Sequence, residues 1–585
     1  MMAYTGKVLR IDLTTGKAST EPLNKEWAKE YLGGKGLSIK YLYEELKPGV
    51  DPLSADNKLI LMTGPMTGTI VPNSGKLAIA AKSPATGTIL DCSIAGHFAN
   101  ELKYAGYDAV IIEGKAKAPV YLFIDDDIVE MRSAADLWGK GAHETEHLIA
   151  DALGDVITLA IGQAGENLLP MACISSELYR QAGRGGIGAV MGSKNLKAVA
   201  VWGSGGIEIP NIRKVSAALN KIKREDTMTD DNMWAYSDGT PMIVDLSQST
   251  GILPTRNFQE GTFDQYKNIN SDAVKDALKA KKACYACPLA CSNYVKKGKT
   301  EVEGPEYETL ALCGSNCGIG DLEAVIEFNR LCDDYCLDTI SAGNVVAFAM
   351  ELTEKGIHDF GIRFGDVDNF LKMPGLISTR EGIGADLAEG VRAIAKKYGG
   401  NDYAMQVKGL EIPGYEPRGS WSMGLAYGTA DRGACHMRAW PAAVEAFGDI
   451  DPFTSEGKAE LVIGMQDDNA VKFSAIFCDF WALSTERMAE ILSMLLDREV
   501  TAAELTKIGE RVYNLARLFN EREGFERKDD YLPERIYSDK LTTGATEGKL
   551  LPREEYDKML AEYYQLRGWD ENGIITDMKK KELNL

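Results

Sequence analysis

The feature that most constrains the fold is a change in sequence character at Gly203-Ser-Gly-Gly206. Before this point, short β-type runs alternate with Gly and Pro. After it, amphipathic stretches with helical periodicity prevail. At 585 residues the chain is also too long for a single hydrophobic core. We therefore predict a β-rich first domain followed by helical domains.

The predicted elements follow this division. In the first part the predicted strands are 58–62, 76–80, 108–112, 120–124 and 197–202, with helices at 26–46 and 143–153. After Gly203–Gly206, which resembles a linker, the predicted helices are 215–224, 321–335, 345–354, 456–466 and 502–520. A Pro/Gly-rich segment at 413–419 is predicted to separate a second domain from a third. The predicted domains are therefore 1–206, 207–412 and 413–585.

Charge and composition exclude several classes of function. Lys+Arg 65 against Asp+Glu 86 gives a net charge of -21, so nucleic acid and anionic membranes are not expected partners. No apolar run approaches the roughly 20 residues of a membrane helix, and no signal peptide is expected at the start of the chain. The 11 cysteines are odd in number and unevenly spread, which suits a reducing cytoplasm better than a disulfide framework.

Three of these cysteines form the strongest chemical signal, Cys284-Tyr-Ala-Cys287-Pro-Leu-Ala-Cys291. The spacing predicts a loop that turns into a helix and aims three thiolates at one centre, as in iron–sulfur sites. Zinc is the alternative, although it usually takes two pairs of ligands and no second Cys-x-x-Cys exists here. Spacing leaves the fourth ligand open among Cys313, Cys317, Cys332, Cys336, Cys435 and Cys478.

A second metal-site pattern is His143-Glu-Thr-Glu-His147, which matches His-Glu-x-x-His on a predicted helix. A zinc hydrolase would use His143 and His147 as ligands and Glu144 as the general base, with Glu166 as a third ligand. The alternative is an exposed, charged helix that matches by chance.

Glycines at Gly183-Arg-Gly185-Gly-Ile-Gly188 satisfy a dinucleotide-binding fingerprint. That fingerprint requires a strand before it and a helix after it, whereas segment 175–182 is predicted to be helical and a loop to follow. We predict a glycine nest that offers backbone N–H groups to a phosphate, with Arg184 supplying positive charge.

Taken together, these segments resemble the tungsten-containing aldehyde ferredoxin oxidoreductase family. The resemblance runs over nearly the whole chain, and its motifs follow in the family's order. They are segments 6–13, 31–36, 101–108 and 182–195, the cysteine triplet, and segments 303–309, 337–341 and 432–436.

The resemblance implies an α+β fold, with an N-terminal domain of two β-sheets that carries the cofactor and two mainly helical domains after it. The implied cofactor is one tungsten atom held by two pyranopterins, which a Mg²⁺ ion joins at their phosphates. Lys76 and Arg184 are the implied cationic partners of the phosphates, beside the backbone of Gly183 and Gly185. A motif that runs from Asp333 to Asp338 is implied to bind a pterin, because pterin ring N–H groups need acceptors.

The family's second pterin motif ends in the fourth cluster cysteine, which implies Cys478. Here the motif lacks its leading Asp and its Gly, since the segment reads Phe473-Ser-Ala-Ile-Phe-Cys478. In the first motif, Cys336 stands where the family has Gly. It is interpreted as a small buried residue, with a thiolate near the metal as the alternative.

The resemblance also implies the chemistry. Glu308 would accept a proton from water or an aldehyde hydrate, His436 would polarise the carbonyl oxygen, and Tyr415 would add a hydrogen bond. Electrons would leave through a [4Fe-4S] cluster to ferredoxin or an iron–sulfur subunit. The alternative interpretations are a buried Glu–Arg pair, a structural histidine and a packing tyrosine.

Other functions and partners stay open at this stage. The alternatives to aldehyde oxidation are reduction of an acyl-CoA or carboxylate, as in the benzoyl-CoA reductase branch, and the zinc hydrolase. A homodimer or hetero-oligomer is expected. Four aromatic residues are candidates for either a substrate pocket or the core, namely Trp421, Trp440, Phe480 and Trp481.

Overall fold

The computed structural model describes residues 2–446, 448 and 450–585. Two six-stranded sheets form the first part of the molecule. The strands of the first sheet are β1 (Lys7–Asp12), β2 (Lys17–Pro22), β3 (Leu59–Met62), β4 (Lys76–Lys82), β5 (Ile89–Ala95) and β6 (Ala109–Glu113). Those of the second are β7 (Val120–Asp125), β8 (Ile128–Ser133), β9 (Ile157–Ala160), β10 (Ile174–Ser176), β11 (Arg180–Ala182) and β12 (Leu196–Trp202).

The first sheet has the order β2-β1-β6-β3-β4-β5 and the second β11-β10-β9-β12-β7-β8. Only β1–β6 and β7–β12 are parallel among these described pairs. Side chains alternate between the two faces of each sheet. Leu9 and Ile11 face a core shared with Val199 and Val201 of the second sheet, whereas Val8 faces helices. The sheets therefore pack face to face.

Helices lie between these strands and are the main type of secondary structure in the remaining chain. Between the strands they are α1 (Lys25–Tyr31), α2 (Gly34–Glu45), α3 (Phe98–Tyr104), α4 (Ala142–Leu153), α5 (Gln163–Glu166) and α6 (Ile187–Ser193). Up to residue 400 they are α7 (Ile212–Ile222), α8 (Met233–Ser237), α9 (Met242–Thr250), α10 (Ser271–Ala277), α11 (Tyr307–Thr309), α12 (Leu322–Tyr335), α13 (Thr339–Glu354), α14 (Val367–Phe370), α15 (Met373–Thr379), α16 (Gly384–Leu387) and α17 (Val391–Tyr398).

The last part of the chain contains α18 (Trp421–Thr429), α19 (Ala442–Ala446), α20 (Lys458–Ala475), α21 (Thr485–Leu496), α22 (Ala502–Arg522), α23 (Arg535–Ser538), α24 (Arg553–Arg567) and α25 (Asp577–Leu583). The two sheets followed by mainly helical segments confirm the predicted fold class. The described part of the chain contains no helix that is both long enough and apolar enough to cross a membrane.

Three sequence predictions about local structure were wrong. The predicted helix 26–46 is broken into α1 and α2, because the backbone is not helical at Leu32 (φ 62°) and Gly33 (φ -170°). Glycine at 33 also allows close packing, since a Cβ there would lie 2.7 Å from the carbonyl oxygen of Thr63. The predicted helix 175–182 is the β10–β11 hairpin, and α6 rather than a loop follows the glycines. Local periodicity missed the hairpin because its strands are only three residues long.

The third wrong prediction concerns the cysteine triplet, which does not turn into a helix. It lies in the loop between β13 (Leu278–Lys282) and β14 (Ser292–Lys297), which form a small antiparallel sheet with β15 (Thr300–Glu303). A short two-stranded ribbon, β16 (Gln406–Val407) and β17 (Leu410–Glu411), precedes segment 413–419. That segment is completely buried, so it is part of the core and not a surface linker. The domain boundary at 412 stays a prediction.

Candidate active site

A cavity of about 380 Å³ lies where β4, β5, the β10–β11 hairpin, α12, α13 and the segment after Arg432 meet. Seven of the sequence-predicted site residues line it, namely Lys76, Gly183, Arg184, Glu308, Asp333, Asp338 and His436. These residues are far apart in the sequence, so the tertiary structure brings them together.

Glu308 lies in the short helix α11 and faces this cavity. Its Oε2 accepts a hydrogen bond from the backbone N–H of Gly414 at 2.8 Å, whereas Oε1 is buried without a hydrogen-bond partner among the described residues. Burial raises the pKa of Glu308 to about 8, although the Gly414 N–H and the nearby Arg184 act in the opposite direction. The carboxyl is therefore poised to exchange a proton near neutral pH.

His436 lies beside Glu308 at the cavity. Its Nδ1 lies 3.4 Å from Glu308 Oε1 and, like that oxygen, is buried without a hydrogen bond to a described residue. Burial, together with the positive charges of Arg184 and Arg432, lowers the pKa of His436 to about 3. At neutral pH the imidazole is therefore uncharged, so it can donate one N–H hydrogen bond without adding charge to the cavity.

Tyr415 packs behind this pair and does not line the cavity. Its ring centroid lies 5.8 Å from that of His436, 5.8 Å from that of Trp440 and 5.0 Å from that of Tyr307. Burial raises the pKa of the Tyr415 hydroxyl well above its usual range, so the hydroxyl stays protonated. In this position the residue supports His436 by packing.

Arg184 and Asp338 form a hydrogen-bonded pair at the same cavity. Arg184 Nε donates to Asp338 Oδ2 at 3.1 Å, and the two terminal nitrogens donate to the carbonyl oxygens of Ala434 and Glu411 at 2.6 Å. Asp338 is also the N-cap of α13 and accepts from the backbone N–H of Ile340 at 3.0 Å. This carboxylate thus has a cation and a helix terminus as partners.

Asp333 is held at the same cavity by neutral partners. It accepts hydrogen bonds from Gln181 Nε2 at 3.2 Å and Asn329 Nδ2 at 2.9 Å. Burial raises the pKa of Asp333 well above its usual range.

The two predicted phosphate-site glycines differ in surroundings. A Cβ on Gly183 would project into open space at the cavity, whereas one on Gly185 would lie 2.6 Å from Leu90 Cδ1. Gly185 also has a φ of +77°, and its carbonyl oxygen accepts a hydrogen bond from Ser83 Oγ at 2.7 Å. Gly185 therefore allows close packing, and only Gly183 borders the cavity.

Arg432 and Arg438 are among the cavity-lining residues that sequence reasoning missed. Arg438 Nε donates to Asp431 at 2.7 Å and also pairs with Asp91, which accepts in turn from Lys35 at 2.7 Å. Arg432 has no such carboxylate; it donates to the carbonyl oxygen of Asp91 at 2.7 Å, while its Nε is buried without a partner among the described residues.

The available signal for these arginines was their position in the sequence. Arg432 opens the segment 432–436 on which the resemblance drew, and Arg438 follows His436 by two residues. The cavity therefore has more positive charge than the sequence predictions assigned to it.

Cys478 is the cysteine that the fold brings to the triplet. Burial raises the pKa of Cys291 well above its usual range, and the thiols of Cys478, Cys284 and Cys287 raise it further. Cys284 and Cys287 also line a surface groove of about 480 Å³ with Leu219 and Lys223. Cys478 and the triplet thus lie in the same region, between the interior and the surface.

Lys76 lies between these cysteines and the cavity. It pairs with Asp479 and lines the cavity. Burial disfavours its charged form, but Asp479 and the thiols of Cys478 and Cys284 outweigh burial and raise the pKa of Lys76. Lys76 thus lies beside the cysteines and lines the same cavity as Gly183 and Arg184, and its phosphate role stays a prediction.

The other cysteines that spacing left open lie elsewhere. Cys336 packs in a core cluster with Ala198 and Ala200 and does not line the cavity, which agrees with the buried-residue interpretation. Its φ of +59° is the left-handed conformation at the end of α12, which explains why Gly suits this position. Cys435, beside His436, accepts a hydrogen bond from Arg432 at 3.1 Å.

The His-Glu-x-x-His motif is a surface helix. His143 Nε2 lies 2.8 Å from the carbonyl oxygen of Leu178, Glu144 pairs with Lys140, and His147 is exposed. Within the described ranges, no three His, Cys, Asp or Glu residues lie close enough together to hold a metal ion, and this finding covers the four cysteines as well as α4. The partners of His143 and Glu144 therefore lie outside the cavity.

None of the four aromatic candidates lines the cavity. Trp481 is 1% exposed and donates to Thr227 Oγ1 at 2.7 Å, and Phe480 contacts Trp234. Trp421 contacts Phe453, whereas Trp440 packs against Tyr415. They belong to the core or to the packing behind the site.

Comparison with known proteins places this geometry in a family. Residues 8–203 match the model of the aldehyde ferredoxin oxidoreductase N-terminal domain, and residues 214–585 match that of its domains 2 and 3. The chain is 40% identical over 610 residues to the tungsten-containing aldehyde ferredoxin oxidoreductase of Pyrococcus abyssi, covering 100% of this chain and 99% of the relative.

Two further similarities extend beyond aldehyde oxidation. The chain is 34% identical to the aliphatic sulfonate oxidoreductase, WOR-like subunit, of Pyrococcus furiosus, over 100% of this chain and 97% of the relative. It superposes with a TM-score of 0.86 and 27% identity on the active-site complex BamBC of benzoyl-coenzyme A reductase with 1,5-dienoyl-CoA, covering 100% of this chain and 97% of that one. This protein is an oxidoreductase that belongs to the aldehyde ferredoxin oxidoreductase family.

Proposed function

We propose that the protein oxidises an aldehyde to a carboxylic acid and passes the electrons through a [4Fe-4S] cluster to ferredoxin or an iron–sulfur subunit. The observation that carries this proposal is the pair of buried atoms without partners, Glu308 Oε1 and His436 Nδ1, which face one cavity. Buried polar atoms are rarely left without hydrogen bonds, so these two are suited to a bound substrate.

The residues around the cavity suit a tungsten atom held by two pyranopterins, with Mg²⁺ between the pterin phosphates. Asp333 and Asp338 would accept hydrogen bonds from pterin N–H groups. Lys76, Arg184 and the partly unsatisfied Arg432 would bind phosphate, and the open side of Gly183 leaves room for it. The thiolates of Cys284, Cys287, Cys291 and Cys478 would hold the cluster.

When bound, the tungsten cofactor supplies an electrophile and an acceptor for two electrons. The reaction converts an aldehyde and water into a carboxylic acid, two electrons and two protons. Ionised Glu308 takes a proton from the attacking water or hydrate through Oε1. Neutral His436 donates its N–H to the carbonyl oxygen and so stabilises the charge that develops there. Tyr415 holds the imidazole in place through ring packing.

A second candidate is reduction of an acyl-CoA or carboxylate with the same residues. The observation that favours it is the TM-score of 0.86 with the benzoyl-coenzyme A reductase complex. The surface groove beside Cys284 and Cys287 would serve as the electron-transfer contact in either direction. Substrate tests separate the two candidates.

The test uses holoenzyme purified without oxygen from a native host. Metal analysis should find about one tungsten and about four iron atoms per chain. Aldehydes of increasing size are then assayed with an artificial electron acceptor, beside benzoyl-CoA with a strong reductant. Aldehyde oxidation in the wild type, and its loss in Glu308→Gln but not in the surface variant Glu144→Gln, supports the proposal. Zinc alone, without tungsten, molybdenum or iron, refutes it.

A further inference from the structure

A second cavity, of about 350 Å³, adjoins the active-site region and has no role in the chemistry above. It is lined by Met171, Glu389, Arg392, Lys396 and Glu411, among others. The carbonyl oxygen of Met171 accepts a hydrogen bond from the backbone N–H of Asp338 at 3.0 Å. Because Asp338 lines the active-site cavity, the two cavities are neighbours. Glu411 itself is only 4% exposed and belongs to the strand β17.

A single hydroxyl lies between the carboxyls of the two cavities. Ser341 Oγ is 2.8 Å from Asp338 Oδ2 and 2.7 Å from Glu411 Oε2. A serine hydroxyl has one hydrogen, and an ionised carboxylate can only accept. Both short contacts are satisfied only if one of the carboxyls also carries a proton.

The surroundings indicate which carboxyl carries it. Asp338 has the Arg184 guanidinium and the N-terminus of α13 as partners, both of which stabilise a negative charge. Glu411 Oε1 accepts only the backbone N–H of Val391, at 3.0 Å, and no ion pair in the described chain includes Glu411. Burial raises the pKa of Glu411, and it outweighs the opposing hydrogen bonds from Val391 and Ser341 and the positive charge of Arg184. The proton therefore resides on Glu411 Oε2, which donates it to Ser341.

We propose that Asp338, Ser341 and Glu411 form a proton path from the active-site cavity to the second cavity. The inference rests on the proposed function, since aldehyde oxidation releases protons in the first cavity. In one cycle, the Glu411 O–H bond breaks and the proton passes to solvent in the second cavity. The hydroxyl proton of Ser341 then moves to Glu411. Asp338, which has taken up a proton from the active-site cavity, passes that proton to Ser341. One proton leaves, the three groups are restored and no electron moves.

Other charged groups face this path and define the control. The guanidinium of Arg184 donates a hydrogen bond to the backbone carbonyl oxygen of Glu411 at 2.6 Å. On the side of the second cavity, the guanidinium of Arg392 donates to the carbonyl oxygens of Lys408 and Ala85 at 3.0 and 2.9 Å. Glu389 there pairs with Arg380 and makes no contact with Ser341. Glu389→Gln is therefore a matched control that removes a carboxyl from the same cavity.

The decisive variant is Glu411→Gln in the holoenzyme, because the amide can donate to Ser341 but cannot transfer a proton. We expect kcat to fall about 10²-fold with unchanged KM and metal content, since proton transfer contributes on that order. The solvent deuterium isotope effect should rise, and Glu389→Gln should match the wild type. Wild-type kcat and isotope effect in Glu411→Gln would overturn the path and leave Glu411 a structural residue.

A measurement that does not use activity separates this inference from the proposed function. Infrared spectroscopy at neutral pH should show a protonated-carboxyl C=O band that is lost in Glu411→Gln and shifted in Ser341→Ala. A wild-type spectrum whose carboxyl bands are unchanged in Glu411→Gln would overturn the inference. If the wild type oxidises no aldehyde, the proposed function fails, and the infrared band alone decides whether Glu411 holds the proton.

Discussion

Glu308 and Asp338 are buried carboxyls at the same cavity, but their partners differ. Asp338 has the Arg184 guanidinium at 3.1 Å and a helix N-terminus, whereas Glu308 has one backbone N–H and an oxygen without a partner. Burial raises the pKa of Glu308 to about 8 because no comparable partner offsets the loss of water. Asp338 is paired with a cation and is suited to binding. Glu308 has no such cation, and this makes its carboxyl reactive.

Removing the titratable group from the reactive side should have the largest effect. Glu308→Gln keeps the size of the side chain but cannot accept a proton, so we expect kcat to fall about 10²- to 10⁴-fold. Tungsten and iron content should stay at the wild-type level. Steady-state kinetics with metal analysis checks this, and activity within a factor of two of the wild type would remove Glu308 from the mechanism.

Removing the cation that pairs with Asp338 should instead lower the stability of the protein. Arg184→Met leaves the buried Asp338 without its cation, which should lower the free energy of unfolding by about 3–5 kcal/mol and reduce the tungsten content. Thermal or denaturant unfolding measures it. Arg256→Met is the matched control, because the Arg256–Glu354 pair is half-exposed and should contribute less than about 1 kcal/mol. Equal destabilisation of the two variants would contradict the comparison.

The pH dependence of aldehyde oxidation should report on the reactive side. Because Glu308 accepts a proton only when ionised, and its pKa is about 8, kcat/KM should rise about tenfold per pH unit below 8 and level off above it. His436, with a pKa of about 3, stays neutral throughout this range and adds no further step. A profile that is flat between pH 6 and 9 would show that Glu308 does not limit the rate.

The surface helix α4 should show no effect on catalysis. His143→Ala and Glu144→Gln change a motif whose members contact Leu178 and Lys140 outside the cavity. We expect kcat, KM and metal content to match the wild type. A loss of activity together with bound zinc would restore the hydrolase interpretation.

Much of the molecule could be predicted from its sequence because local patterns determine local structure. Alternating and apolar runs located the strands that became β3, β4, β6, β7 and β12, and the helical periods located α12, α13, α20 and α22. The motif resemblance alone indicates Glu308, His436 and Cys478 as site residues.

Only the tertiary structure decided how these residues interact. The Gly414–Glu308 hydrogen bond joins positions 106 residues apart, and the sequence predicts only that the segment carrying Gly414 separates two domains. Arg184 turned out to be bound to Asp338, and Lys76 to Asp479 beside the cysteines. Hydrophobic periodicity reports which face of an element is buried. Burial of a charge and the identity of its partner depend on packing between distant elements, and those set the pKa values on which the chemistry rests.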